Sequence, residues 1–464
     1  MTKIEALFLE AFGAALKNEQ VTWTQPLTGE EWEALFRMAS QHHVQPMIYE
    51  TVGRCPAAQN GGRDDAVSMY LLFQKHSAMQ MMMLQTQMTS EFLQIYQSLR
   101  AAGVQPLVVK GIVCRSLYPK PDQRISGDED LLVQSEEFAL CHKILTDLGM
   151  TVADPEMNIE EAYEVPYNRM GSAIYLEIHK SLFPPEQVAY GGLNQYFVKA
   201  HEYAVEASIG PDMRVTIRGK ERAAAGENAV AVNGAGGEGE PLNVEEPSVV
   251  TLPPTDHLFY LICHAFKHFL HSGVGIRQAA DMALFANAYG AYIDWEQILE
   301  NCRQIHAEKF AAAIFRIGEK YLCFDPDRAG YPASWRAINM DESALLMDIL
   351  SGGVYGDSSM SRKHSSTITL NAAEAGRKGK RSGSPGSLLR TVFPSARDMK
   401  GRYPYLGKHP VLMLPRAWVS RILHYYREMI DDTGPAARGN NSVAESVRIG
   451  NQRVALMKEY DILE

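Results

Sequence analysis

Two aspartates stand two residues apart in the stretch "RISGDEDLLV", Asp128 and Asp130, directly before an apolar run. Acidic side chains are poor strand formers and are costly to bury unless something pairs with them. Strand side chains alternate between faces, so Asp128 and Asp130 share one face and Glu129 points to the other. The run from Leu131 to Val133 anchors the strand in a core and holds both carboxylates rigid. Two rigid carboxylates on one face repel each other. A divalent cation relieves that repulsion, and Mg²⁺ accepts a few carboxylates together with substrate phosphates. Such a seat needs another carboxylate from a neighbouring strand. "YLEIHKSLF" offers Glu177, which shares a face with His179 while Leu176 and Ile178 fill the other. The same alternation also fits the solvent side of an edge strand, and spacing alone leaves both readings open. The chain carries its own control in "FDPDR", where Asp325 and Asp327 have the same spacing. There Pro326 interrupts the segment and no strand pattern follows, which predicts a solvated turn.

Other polar residues cluster around this pattern in sequence. Lys110 adjoins the apolar run "PLVV", where a lysine without a task is costly. Arg124 either clamps a phosphate or caps its loop by pairing with Asp122 or Asp128. His264 and His268 are four apart on one helix face, with His271 close to that face. The glutamate of a His-Glu-x-x-His zinc helix is missing from "HAFKH", so a polar helix face packed toward the acidic unit competes with a zinc site. Arg277 and Asp281 are spaced to pair along a helix.

The elements that must position these residues can be traced along the chain. Residues 1–104 read as helical: Thr28 and Glu31 have capping-box spacing, and Gly103 can close a long helix. The methionines of that helix, Met79, Met81, Met82, Met83 and Met88, fit either an adaptable binding face or, the reading preferred here, core filling. Residues 105–205 alternate short β-branched runs with helical ones and predict a small mixed α/β unit, with Ser135 as a helix cap. Residues 206–248 are rich in Gly, Ala, Glu and Asn and predict a flexible insertion with a short hairpin at its base. Helix returns over 249–345, with Thr255 or Asp256 as cap. Residues 346–390 read as a polar loop, and 391–464 as a helical tail. The fold class expected is therefore α+β, a small mixed sheet flanked by N-terminal and C-terminal helical regions.

Bulk properties limit the function classes. The chain has 464 residues, 46% hydrophobic and 22% charged, with a net charge of −10. That composition is globular, and the acidity argues against coating long nucleic acid or an anionic membrane by bulk charge. The six cysteines form no Cys-x-x-Cys pair and predict neither a disulfide framework nor a zinc knuckle. Residues 1–20 lack a signal-peptide pattern, and no stretch approaches the ~20 apolar residues that span a bilayer. Together these predict a soluble cytoplasmic protein.

Taken as a set, several of these residues resemble a family. "VVKGIVCRSLYPKPDQRISGDEDLLV", then "YLEIHKSLF", then "DHLFYLICHAFKHFLHSGVGIRQAADMALF" resemble the uncharacterised bacterial nucleotidyltransferase-like proteins of the DNA polymerase β superfamily. The shared features are Lys110-Gly111, Tyr118-Pro119, Arg124, Asp128 and Asp130, Glu177 and His179, and then His264, His268, Arg277 and Asp281. The resemblance implies a minimal nucleotidyltransferase fold and the transfer of a nucleoside monophosphate from a nucleoside triphosphate by two-metal in-line displacement. It implies Asp128, Asp130 and Glu177 as catalytic metal ligands for Mg²⁺ or Mn²⁺, and Lys110, Gly111, Arg124, Ser126 and His179 as nucleotide-binding residues. The acceptor expected is a small molecule or a protein. The sequence departs from the superfamily where Lys110-Gly111 replaces Gly-Ser, and in a third carboxylate that is Glu rather than the more usual Asp. The competing reading is a catalytically silent nucleotide-binding or interaction module on the same fold. A phosphoryl hydrolase using the same carboxylates is a third.

Overall fold

Helix starts in this chain are written locally. The Thr28 hydroxyl accepts from the Glu31 N–H at 3.2 Å, and the Glu31 carboxylate accepts from the Thr28 N–H at 3.0 Å. This is the reciprocal pairing that the spacing predicts, and Thr2 and Glu5 repeat it at the first helix. The computed structural model describes residues 1–60, 65–210, 214–217, 247–354, 359–377, 396–399, 412–420 and 443–463. The N-terminal helices are α1 (Lys3–Leu16), α2 (Gly29–Gln41), α3 (Gln45–Val52), α4 (Pro56–Asn60) and α5 (Asp65–Ala101). Gly103, at φ +95°, ends the last of these in the left-handed region. The core-filling expectation for its methionines holds for Met88 alone. Met79 and Met83 are exposed, and Met81 and Met82 are half-buried. The neighbouring elements cover this helix along one side, and its opposite stripe faces outward.

Next come β1 (Leu107–Val108), α6 (Gly111–Arg115), β2 (Glu129–Leu132), α7 (Phe138–Asp147), β3 (Thr151–Val152), β4 (Glu164–Asn168) and β5 (Tyr175–His179). They are followed by α8 (Ala200–Tyr203), β6 (Val205–Ile209), β7 (Val215–Ile217) and β8 (Ser248–Thr251). The strands form one mixed eight-stranded sheet in the order β3-β4-β5-β2-β1-β8-β6-β7. β2 runs parallel to β5 and β1 parallel to β8; the other neighbours are antiparallel. The sheet thus continues past residue 205, because β8 returns beside β1. The β6–β7 hairpin lies where a short one was expected, and 211–213 and 218–246 lie outside the described residues. Ser135 opens a 3-10 turn before α7 rather than capping it.

The remaining helices are α9 (Pro254–His271), α10 (Ile276–Tyr289), α11 (Trp295–Gln304), α12 (Glu308–Tyr321), α13 (Ala333–Arg336), α14 (Ser343–Gly352), α15 (Met360–Arg377), α16 (Ala396–Met399) and α17 (Val443–Glu459). Pro254 takes the first position of α9, where its missing N–H costs nothing, so the helix begins just before the expected cap. α15 occupies part of the stretch that composition assigned to a loop. Its small residues Ser361, Ser365, Thr369 and Ala372 are buried at helical spacing, and small side chains let α15 pack closely against α17 and α9. One continuous buried cluster includes residues from Phe8 to Ile462. All six cysteines are unpaired. Among the described residues, no helix is long and apolar enough to cross a membrane.

Candidate active site

The site is built on the β2–β5 pairing. In that parallel register Asp130 lies beside Glu177 and Leu132 beside His179. On the other side of β5, the antiparallel register sets Glu164 of β4 opposite His179. Side-chain alternation therefore places Asp130, Glu177, His179 and Glu164 on one face of the sheet. Glu129 turns to the other face, where it is fully buried and paired with the Arg115 guanidinium of α6. That pair also explains Gly111. Its φ is +35°, and a Cβ there would lie 2.1 Å from Glu129 Oε2.

On the acidic face, His179 Nε2 lies 3.2 Å from Asp130 Oδ1 and 3.8 Å from Glu177 Oε2. His179 Nδ1 lies 3.6 Å from Glu164 Oε2. Lys110 Nζ, beyond the end of β1, is 3.0 Å from Asp130 Oδ2. Helix α9 closes over the lysine: His264 Nε2 is 3.5 Å from Lys110 Nζ and 3.3 Å from His268 Nε2. Lys267, one turn on from His264, is half-buried on the same helix. His271 does not join this group; it is exposed at the helix end.

The electrostatics are those of a crowded acidic seat under a basic wall. Burial disfavours charge on Asp130, but Lys110 and the His179 hydrogen bond outweigh it and hold its carboxyl well below the usual range. Glu177 goes the other way. Burial, then the neighbouring charges of Asp130, Glu164 and Asp128, push its carboxyl up to about 9. Burial and then the nearby Lys110 keep His264 well below the ordinary imidazole value, and burial with Lys267 does the same for His268. Burial lowers the Lys267 ammonium too, against the attraction of Glu164.

The donor set fits a divalent cation. Ligand atoms of Asp130, Glu177 and His179 all lie within 4.8 Å of one another. Burial and then the crowding of neighbouring carboxylates disfavour charge on Glu177, and a cation in the seat would relieve that crowding. Buried Asp128 Oδ1 and His179 Nδ1 have no hydrogen-bond partner. Asp128 precedes β2 and stands outside the group of three, yet its charge still acts on Glu177.

Arg124 and Ser126 are engaged elsewhere. Arg124 donates from Nε to Asp281 Oδ1 at 2.8 Å and from Nη2 to Oδ2 at 2.6 Å, a buried two-pronged pair that also takes the Tyr118 hydroxyl at 2.8 Å. Neither Asp122 nor Asp128 is its partner. Arg277 donates to the Ile125 carbonyl, and its charge still acts on Asp281. The Ser126 hydroxyl accepts from Arg115 at 2.6 Å, and its N–H donates to Gln85 at 2.7 Å. The control segment behaves as a turn: exposed Asp325 accepts from the N–H groups of Asp327 and Arg328.

Residues 28–210 and 231–322, together more than half of the chain, match the family described as "Uncharacterised nucleotidyltransferase". The chain belongs to that family. No curated protein and no solved structure matches it. Membership carries a general nucleotidyltransferase role, and the matched span includes Lys110, Asp128, Asp130, Glu177, His179 and all of α9. Two residues of this site were not singled out from the sequence. Glu164 reaches His179 only through the β4–β5 register, which no local pattern states. Lys267 carried a usable signal, since it stands between two histidines already flagged.

Proposed function

We propose that this chain transfers a nucleoside monophosphate from a nucleoside triphosphate to a small-molecule or protein acceptor. The observation that carries the reading is the register pairing of Asp130 with Glu177, with Lys110 3.0 Å from Asp130. A divalent cation held by Asp130, Glu177 and Asp128, Mg²⁺ or Mn²⁺, would supply charge neutralisation at the nucleotide phosphates, as two-metal in-line displacement requires. Lys110 and Lys267 present cationic groups opposite the carboxylates, where a triphosphate tail brings negative charge. His179 faces the nucleotide side, and Gly111, Arg124 and Ser126 support it indirectly. Gly111 lets the start of α6 pass close to the buried Glu129, and the buried pairs of Arg124 and Ser126 hold the loop before β2 in place. The neutral imidazoles of His264 and His268 set the Lys110 ammonium. Free cysteines fit a reducing cytoplasmic setting, and the acidic net charge argues against long nucleic acid as acceptor.

The test is calorimetric titration of nucleoside triphosphates with and without Mg²⁺, comparing wild type with Asp128→Ala/Asp130→Ala. Metal-dependent binding confined to the wild type is expected; equal binding in the double variant refutes the reading. One observation favours the silent nucleotide-binding module: Lys110 is already paired with Asp130. Nucleotide binding without pyrophosphate release across a broad acceptor panel would select that alternative.

A further inference from the structure

We propose that His179 is a nitrogen ligand of the cation seat, oriented by Glu164, so that the seat prefers a first-row transition metal such as Mn²⁺ over Mg²⁺. The inference rests on the reading of Asp130 and Glu177 as a cation seat and adds to it the identity of a third donor and the class of metal.

The geometry points to this assignment in three ways. His179 Nε2 faces both carboxylates, at 3.2 Å from Asp130 and 3.8 Å from Glu177. The three donor atoms fall within 4.8 Å of one another, the only such group among the described residues. His179 is 5% exposed and its Nδ1 has no hydrogen-bond partner meeting full geometry, but the Glu164 carboxylate stands 3.6 Å from it. An imidazole can offer a lone pair at Nε2 only when its proton sits on Nδ1. Without an ion Nε2 makes its hydrogen bond to Asp130 Oδ1; an ion seated between Nε2 and the two carboxylates takes the place of that proton, and the Glu164 carboxylate facing Nδ1 holds the ring's proton on that side, as in the carboxylate–histidine pairs that support metal ligands. The β4–β5 register puts Glu164 directly opposite His179, so this partner is built into the sheet.

A nitrogen donor changes which metal the seat takes. Mg²⁺ is a hard cation that favours oxygen ligands in near-ideal octahedral geometry. Imidazole shifts preference toward first-row transition metals. His264 and His268 do not compete for the ion, because His264 Nε2 is turned to Lys110 and meets His268 Nε2 at 3.3 Å.

The experiment uses the full chain and metal salts alone. MnCl₂ and MgCl₂ are titrated by calorimetry, and bound Mn²⁺ is examined by electron spin-echo modulation, which detects a directly coordinated nitrogen. Wild type is expected to bind Mn²⁺ about tenfold or more tighter than Mg²⁺, with nitrogen modulation. His179→Gln should abolish the modulation and most of the Mn²⁺ preference. Glu164→Gln should keep the modulation and weaken Mn²⁺ by roughly 10–100-fold. Mn²⁺ bound to wild type through oxygen alone overturns the inference and leaves the nucleotidyltransferase reading standing, and this result needs no variant to fold. Nitrogen modulation that survives in folded His179→Gln also overturns it. A wild type that binds neither cation overturns the seat itself, and with it both conclusions.

Discussion

Removing Asp281 should cost this protein a large share of its stability. Asp281 is 2% exposed and accepts three hydrogen bonds, from Arg124 Nε, Arg124 Nη2 and the Tyr118 hydroxyl. Arg124 is 1% exposed, so in Asp281→Ala its guanidinium has neither water nor a counter-ion. Stranding one member of a buried ion pair costs about 3–5 kcal/mol. Tyr118→Phe deletes one neutral donor to the same carboxylate and should cost about 1–1.5 kcal/mol. Arg124→Met/Asp281→Leu removes both charges and keeps the volume, and should recover most of the loss, a coupling of ~3 kcal/mol. Urea unfolding followed by tryptophan fluorescence gives each value. The same double variant tests what Arg124 does. If the arginine only ties α10 to the loop before β2, metal-dependent nucleotide binding should stay within about twofold of wild type, or ~0.4 kcal/mol. Single-variant losses below about 1 kcal/mol, or losses that simply add in the double variant, would refute the argument from burial. A folded double variant with tenfold weaker nucleotide binding would return Arg124 to the phosphate.

Glu177 gives a pH signature. Its folded-state value near 9 lies above that of the unfolded chain, so the folded protein holds a proton that the unfolded chain releases. Stability should therefore fall as pH rises from about 5 toward 9, by up to ~1.4 kcal/mol per pH unit, and level off above. Glu177→Gln should flatten that slope; parallel slopes in urea-midpoint profiles would contradict it. Gly111→Ala places a Cβ against Glu129 Oε2 at a positive φ, and a loss of roughly 2 kcal/mol or more is expected by denaturation. Arg453, 2% exposed, donates to the carbonyls of Phe269 and His271 at the end of α9. Arg453→Ala should cost about 2–4 kcal/mol and raise hydrogen exchange over residues 264–271. Asp325→Asn/Asp327→Asn, on the exposed turn, should change stability by less than about 0.5 kcal/mol and leave cation binding unaltered.

Much of the acidic face could be read without coordinates, because alternation, caps and short apolar runs are properties of neighbouring residues. Asp130 before "LLV", Glu177 two residues before His179, and the turn at Asp325 all follow from local backbone geometry, whereas Asp128, expected to share the strand face, stands just before β2. The capping pair Thr28 and Glu31 is local in the same sense. Composition was a poorer guide where small polar residues bury themselves. α15 looked like a loop because Ser361, Ser365 and Thr369 carry little hydrophobic signal, yet their small size is what admits α17. What only the tertiary structure decided is which distant residues meet. Asp281 lies 157 positions from the arginine it holds, and no periodicity encodes that distance. Glu164 faces His179 because β4 and β5 pair in one register; a slip by one residue would send the carboxylate to the other face of the sheet. Lys110 meets Asp130 through the pairing of β1 with β2, and His264 meets Lys110 where α9 lies over it. The sequence alone determined that this chain builds rigid carboxylates on a strand. Register and helix packing, which depend on the burial of the whole core, decided that a histidine stands among them and lysines stand over them.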